Sequence, residues 1–191
     1  MSHTHFKLFK PYGFISQLLS NDERQARKKK FLSELYDFPD GTMAIGRLDE
    51  KSEGLLFMTT DGKLSDTINR SGIEKEYYVQ VDGAITNDAI KKMIAGVEIG
   101  VDGRKYITKP STVVRLHEPP DLPERSKKIR DARHGPTPWI SVTITEGKFR
   151  QVRKMTSAVG FPTLRLVRIR IGSQTLMGLE PRQVIEVKEL L

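Results

Sequence analysis

The chain contains no cysteine. Disulfides, thiolate–zinc centres and cysteine nucleophiles are therefore excluded, and the composition fits a reducing compartment such as the cytoplasm. Long apolar runs are also missing. No stretch approaches the roughly 20 apolar residues that span a bilayer, so no membrane partner is expected. The opening Met1-Ser2-His3-Thr4-His5-Phe6-Lys7 has no apolar core and is not read as a secretory signal. Histidine is scarce, and His3, His5, His117 and His134 have no partner at a ligand spacing, so no metal is expected. No Gly-x-x-x-x-Gly-Lys-Ser/Thr phosphate loop occurs, and no serine–histidine pair has the context of a nucleophile.

Positive charge is present in excess. The 191 residues carry 32 Lys and Arg against 24 Asp and Glu, a net charge of +8. Residues 121–170 hold 12 of these cations and 4 of the acids, which already makes +8; the rest of the chain has 20 of each and sums to zero. A smaller basic run covers residues 24–30. Two local basic zones point to a polyanion. The run at 24–30 alone is equally well a solvated face. The larger zone alternates its charges with apolar residues and is harder to dismiss. Its aromatics are few, only Trp139, Phe149 and Phe161, so backbone contacts are expected more than a row of stacking platforms.

Short β-type runs outnumber helices. Residues 6–9 read as a strand ending at the turn Lys10-Pro11-Tyr12-Gly13. Residues 20–30 read as polar and mobile, and 30–35 as a short helix. Residues 42–45 form a strand bracketed by Gly41 and Gly46. Residues 55–59 form a buried strand closed by Asp61-Gly62, with a helix from Lys63. Residues 76–81 form a strand whose adjacent tyrosines, Tyr77 and Tyr78, face opposite ways. Thr86, Ala89, Ile90, Met93 and Ile94 show helical spacing, with Thr86 or Asn87 as cap and Gly96 as stop. Strands are expected at 97–101 and 106–114. Residues 116–138, with five of the ten prolines, are the expected long loop. Residues 139–145 alternate as a strand, 150–158 suit a helix, and 164–171 and 184–187 are the last strands. No internal repeat is visible. The pattern predicts an α+β fold with a mostly antiparallel sheet and flanking helices. The length suits a single domain over 1–191, or two small lobes sharing one sheet.

Within this frame Gly46-Arg47-Leu48-Asp49 is unusual. An acid sits beside an arginine, in a glycine-framed loop, just ahead of the apolar run Leu55-Leu56-Phe57-Met58. Loops braced by rigid elements are where sites tend to sit. Taken alone, Asp49 is most often a turn or capping acid, Tyr77 a half-buried strand residue, and Arg153 or Arg47 a surface charge.

Five segments together resemble a known family. Lys10-Pro11-Tyr12-Gly13, Gly46-Arg47-Leu48-Asp49 with Ser52-Glu53-Gly54-Leu55-Leu56 and Thr59-Thr60-Asp61-Gly62, Lys75-Glu76-Tyr77, Glu146-Gly147-Lys148-Phe149-Arg150-Gln151-Val152-Arg153-Lys154-Met155, and residues 168–172 with Leu176 and Leu179 occur in order. They are similar to the motifs of the pseudouridine synthases of the ribosomal small-subunit type, a branch that also holds large-subunit enzymes. The Pro136-Thr137-Pro138-Trp139 approach to the fourth segment resembles the short large-subunit members most. The departures are Ser52 where threonine is common, Thr60 where asparagine is common, and Pro181-Arg182-Gln183-Val184 in place of Gly-x-Trp-Arg. The S4 RNA-binding domain usual in this branch is not expected here.

The resemblance implies the family's catalytic fold with a central cleft. It implies an isomerase that converts one uridine of 23S ribosomal RNA to pseudouridine, on free RNA or an assembly intermediate, as a monomer and without cofactor. Asp49 would be the catalytic carboxylate, as nucleophile or base, with Arg153 as its guanidinium partner and Tyr77 against the target base. A carboxylate in that role must be ionised and well placed, and a nearby guanidinium favours both. Arg47 would hold the space left by the flipped uridine. Lys127, Lys128, Arg130, Arg133, Lys148, Arg150 and Lys154 are the expected phosphate contacts. Lys10 and Lys75 are read as structural. The rivals are a synthase acting on another RNA, a non-catalytic RNA-binding assembly factor and, last, a DNA-binding protein.

Overall fold

Alternation of apolar and polar side chains in residues 5–10 sets the first strand, β1 (His5–Lys10), with Phe6 and Leu8 fully buried. The computed structural model describes residues 3–191; Met1 and Ser2, the start of the segment read as lacking a signal, lie outside the described residues. The chain divides into two compact units. The first takes the residues through Ile73, Pro123–Ser126 and Arg168–Leu191; the second takes Glu74–Leu122 and Lys127–Val167.

The first unit is built around β3 (Glu53–Thr59), all seven of whose residues are buried. The apolar run Leu55-Leu56-Phe57-Met58 needs cover on both faces, and the strand has neighbours on both edges. β1 pairs antiparallel along one edge, from His5↔Thr59 to Lys10↔Gly54, and β2 (Met43–Ile45) pairs antiparallel with the end of β3 on the other. β11 (Val184–Val187) lies antiparallel outside β1, and β9 (Thr163–Ile171), whose last residues belong to this unit, follows β3 and carries β10 (Gln174–Thr175). Phe6, Leu8, Leu32, Leu56 and Met58 form the core here, with Leu18, Leu35 and Phe38 packed on it. α2 (Gly62–Arg70) starts after Asp61, whose carboxylate accepts from the amides of Lys63 and Leu64.

Two short helical segments complete this unit. Residues 20–30, read as polar and mobile, are largely exposed and hold one short helix: Asp22 accepts from the Gln25 amide at 2.9 Å and caps α1 (Glu23–Lys28). Glu23 in its first turn and Lys28 in its last suit the helix dipole, so the six residues form a turn and a half without burying any side chain. The short helix expected over 30–35 is the 3₁₀ helix Leu32–Glu34, which inserts the fully buried Leu32 into the core.

In the second unit β4 (Lys75–Val81) pairs antiparallel with β8 (Trp139–Ile144), and β8 with β7 (Thr112–Arg115), in the order β9-β4-β8-β7. Burial alternates strictly along β4, with Lys75, Tyr77, Val79 and Val81 inward. The two tyrosines therefore do face opposite ways. α3 (Asn87–Ala95) is capped by Thr86 and ended by Gly96 at φ +110. β5 (Glu98–Val101) and β6 (Arg104–Ile107) form a separate hairpin. The single strand expected over 106–114 is two strands, because Pro110 has no amide to donate and the ladder breaks there. β8 also departs from simple alternation: Trp139, Ile140, Ser141 and Val142 are all buried, with the Ser141 hydroxyl donating to Glu76 at 2.8 Å. The long loop 116–138 is largely irregular and is tied to the end of β4. Gly83 N donates to Pro136 O at 2.9 Å, and Arg130 forms an ion pair with Asp82. α4 (Gln151–Ala158) completes this unit.

Candidate active site

In the first unit the chain leaves β2 at Ile45 and crosses to β3 through the loop 46–52. Leu48 anchors it, 6% exposed. Ser16 holds the same residue twice: its hydroxyl donates to Leu48 O at 2.8 Å and accepts from Leu48 N at 3.0 Å. Gly13 N donates to Glu50 O at 2.8 Å, and Ser52 N to Asp49 O at 3.0 Å, closing the turn. With Leu48 facing inward, Arg47 is exposed and Asp49 half-buried. The loop thus offers a guanidinium to solvent and holds a carboxylate on a fixed backbone.

The turn beside it does more than bend the chain. Lys10 is fully buried, and its Nζ donates to Phe14 O at 2.5 Å and Pro11 O at 3.1 Å. Burial pulls its pKa down to about 7, although the charges of Glu53, Asp49 and Glu50 act to raise it; Arg168 acts with burial. Arg168, 1% exposed, donates from Nε to Leu55 O at 2.8 Å. Asp49 therefore stands at the edge of a set of buried or half-buried charges, Lys10, Glu50, Glu53 and Arg168. Sequence reasoning placed Lys10 and Arg168 in family segments without this electrostatic role, and it missed Ser16. A lysine closing an apolar strand was the available signal for Lys10. Ser16, 32 residues from Leu48, gave none.

In the second unit Tyr77 lies on the inward face of β4, 8% exposed, opposite Val142. Arg153 is on α4, half-buried, between the buried Val152 and Met155. The segment ahead of α4 is organised by Glu146. Its carboxylate accepts from Tyr106 Oη at 2.5 Å, Lys109 N at 2.8 Å and Gln151 Nε2 at 2.7 Å. Partial burial acts to raise its pKa, but these donors and the Lys148 charge outweigh that and hold it below its ordinary value. The hydrogen bond to Glu146 in turn raises the Tyr106 pKa and keeps the phenol neutral.

The expected phosphate contacts differ in exposure. Lys127, Lys128, Lys148 and Arg150 are exposed. Arg130 is engaged inside its loop, with Asp82 and with Gly135 O at 2.9 Å. Arg133 is exposed and donates to Asp131 at 2.8 and 2.6 Å. Lys154 is half-buried and its Nζ donates to Gly100 O at 2.6 Å. Among the described residues no three His, Asp or Glu side chains converge as a metal site, and no helix is long and apolar enough to cross a membrane. The chemistry on offer is that of a carboxylate, a tyrosine and an arginine, with cations on the surface.

Comparison with known proteins identifies the family. The family model described as RNA pseudouridylate synthase matches residues 5–158. The chain is 42% identical over 178 residues to the "Ribosomal large subunit pseudouridine synthase E" of Xanthomonas campestris, covering 92% of this chain and 91% of that protein. It is 34% identical over 143 residues to the "Ribosomal large subunit pseudouridine synthase B" of Yersinia pestis, covering 73% of this chain and 39% of that one. Among solved structures it is similar to one described as "Crystal structure of pseudouridylate synthase", with TM-score 0.76 and 25% identity over 98% of this chain and 71% of the other. The half-buried carboxylate of the 46–52 loop and the Glu146 to Met155 segment thus sit in the context of a known fold, and the chain belongs to the RNA pseudouridylate synthase family.

Proposed function

We propose that this protein converts a specific uridine of 23S ribosomal RNA to pseudouridine, as a monomer in the cytoplasm. The observation that carries the reading is the 42% identity to a large-subunit synthase across 92% of this chain, taken with an Asp49 fixed by the bonds of Ser16 to Leu48. The N1–C1′ bond of the uridine breaks, the base turns, and a C5–C1′ bond forms. The C5 proton leaves and N1 gains one, so the product is an isomer and no oxidant, reductant or group donor is consumed.

Asp49 acts as the carboxylate, by attack on sugar or base or by accepting a sugar proton. Tyr77 packs against the base and helps remove the C5 proton. Arg153 supplies the guanidinium of this chemistry, and Arg47 fills the stack vacated by the flipped nucleotide. Lys127, Lys128, Arg133, Lys148, Arg150 and Lys154 take phosphates; at Arg130 a phosphate has to compete with Asp82. Phosphate contacts give affinity and salt dependence, whereas RNA loops and shape give site choice.

The test is a map of pseudouridine in large-subunit ribosomal RNA from a strain lacking the gene, then restored with wild type or Asp49→Asn. One site missing, and recovered by wild type alone, is the expected result. An unchanged large-subunit map sinks the 23S assignment and points to another RNA. Recovery by Asp49→Asn removes Asp49 from the chemistry.

A further inference from the structure

Phe149 is 67% exposed, in a segment where every neighbour is polar or glycine. A large aromatic left in water within a motif that otherwise carries charges calls for a partner. The backbone around it is not loose. Gln151 N donates to Lys148 O at 3.0 Å, which makes residues 148–151 a β-turn with Phe149 and Arg150 at its tip. The Gln151 side chain accepts from Lys148 N at 3.0 Å and donates to Glu146 at 2.7 Å. Glu146 is itself fixed by Tyr106 and by the Lys109 amide. The ring is therefore presented to solvent on a turn braced from three directions.

The tip also carries backbone strain. Arg150 stands at φ +54, ψ +33, the left-handed region that glycine or asparagine would occupy at little cost. The strain keeps a cation beside Phe149 where a neutral residue would suit the backbone better, a pattern expected of a recognition site. Charge completes it. Lys154 Nζ lies 5.2 Å from the Phe149 ring centre, and Lys148 Nζ lies 4.8 Å from the Tyr106 ring. An exposed ring with one cation against it and two more on the same turn suits the base and phosphates of one nucleotide, and a fully paired duplex would not expose the face of a base to it. An acidic or apolar protein partner explains the charge or the ring, but not both on one turn.

We propose that the 148–151 turn reads one unpaired nucleotide of the RNA substrate: Phe149 stacks on its base while Lys148 and Arg150 take the flanking phosphates. The proposal rests on the chain acting on RNA, and it adds a specificity contact outside the reacting residues.

The probe is a labelled single-stranded RNA of ten uridines, followed by anisotropy at fixed salt, with a duplex of the same length as control. Phe149→Ala is expected to weaken binding roughly 5- to 150-fold, the range for loss of one base stack, with duplex binding and the melting temperature unchanged. Phe149→Trp is expected to keep the affinity and to show quenching of its indole on binding; the native Trp139 is buried and provides a constant background. Unchanged single-strand binding by Phe149→Ala, an equal loss on single strand and duplex, an unquenched indole, or no wild-type binding to the oligomer each overturns the stacking site. The two readings fail separately. A lost 23S site together with wild-type-like binding by Phe149→Ala defeats the stacking site alone. Phe149-dependent quenching with an unchanged 23S map defeats the 23S assignment alone.

Discussion

A β-carbon placed on Gly54 would stand 2.6 Å from the amide nitrogen of Arg168 and closer still to its carbonyl oxygen. Gly54 also holds φ +111, outside the range of other residues. This close approach sets β3 against Arg168, whose side chain bonds Leu55 O. Gly54→Ala is expected to cost about 3 kcal/mol or more, from backbone strain and overpacking together. Chemical denaturation should show the loss, and modification activity should fall with it.

Lys10 makes stability depend on pH in the alkaline range. Its ordinary pKa of 10.5 applies in the unfolded chain, and about 7 in the folded one. Between these values the unfolded state holds the extra proton. Stability therefore rises with pH from about 7 to 10.5, and this contribution is lost as pH falls through 7. Lys10→Met removes the titrating group, so its unfolding free energy should be flatter across that window. Urea denaturation of both proteins between pH 7 and 10 measures the difference.

Ser16→Ala leaves the buried amide of Leu48 without the acceptor it has now. The expected loss is about 1–3 kcal/mol, the range for an unsatisfied buried polar group. The loop bearing Asp49 is then less well fixed, so the single-turnover rate should drop by more than RNA affinity does. Equal falls in both would show that Ser16 acts only through global stability.

Arg150→Gly should separate stability from binding. Relief of the left-handed strain favours the folded state by about 1–2 kcal/mol, and the added chain entropy of glycine offsets about half of it. The melting temperature should hold or rise slightly while RNA affinity falls. A lower melting temperature would mean that the arginine stabilises the turn.

Lys127 and Lys128 are exposed on the long loop. If each takes one phosphate, the double change to alanine should lower the slope of log affinity against log salt by about 1.4, at roughly 0.7 per contact on single-stranded RNA. An unchanged slope would remove both from the interface.

Local features were legible in the sequence. The apolar run of β3 declared its burial, Asp61 and Thr86 declared two helix starts, and Gly96 a helix end. The tyrosine alternation of β4 read correctly. Errors arose where local signals were weak or in competition. The short helix from Glu23 went unread because charge masked the Asp22 cap, and the strand expected over 106–114 overlooked Pro110.

The sequence by itself determined most element types and the family, because caps, periodicity and motifs act over a few neighbouring positions. Only the tertiary structure decided which charges are buried and what holds them. Ser16 fastens Leu48, Arg130 meets Asp82, and Lys10 loses its water beside Glu53, Asp49 and Arg168. Desolvation and long-range hydrogen bonds depend on what packs around a group, and no spacing along the chain encodes that.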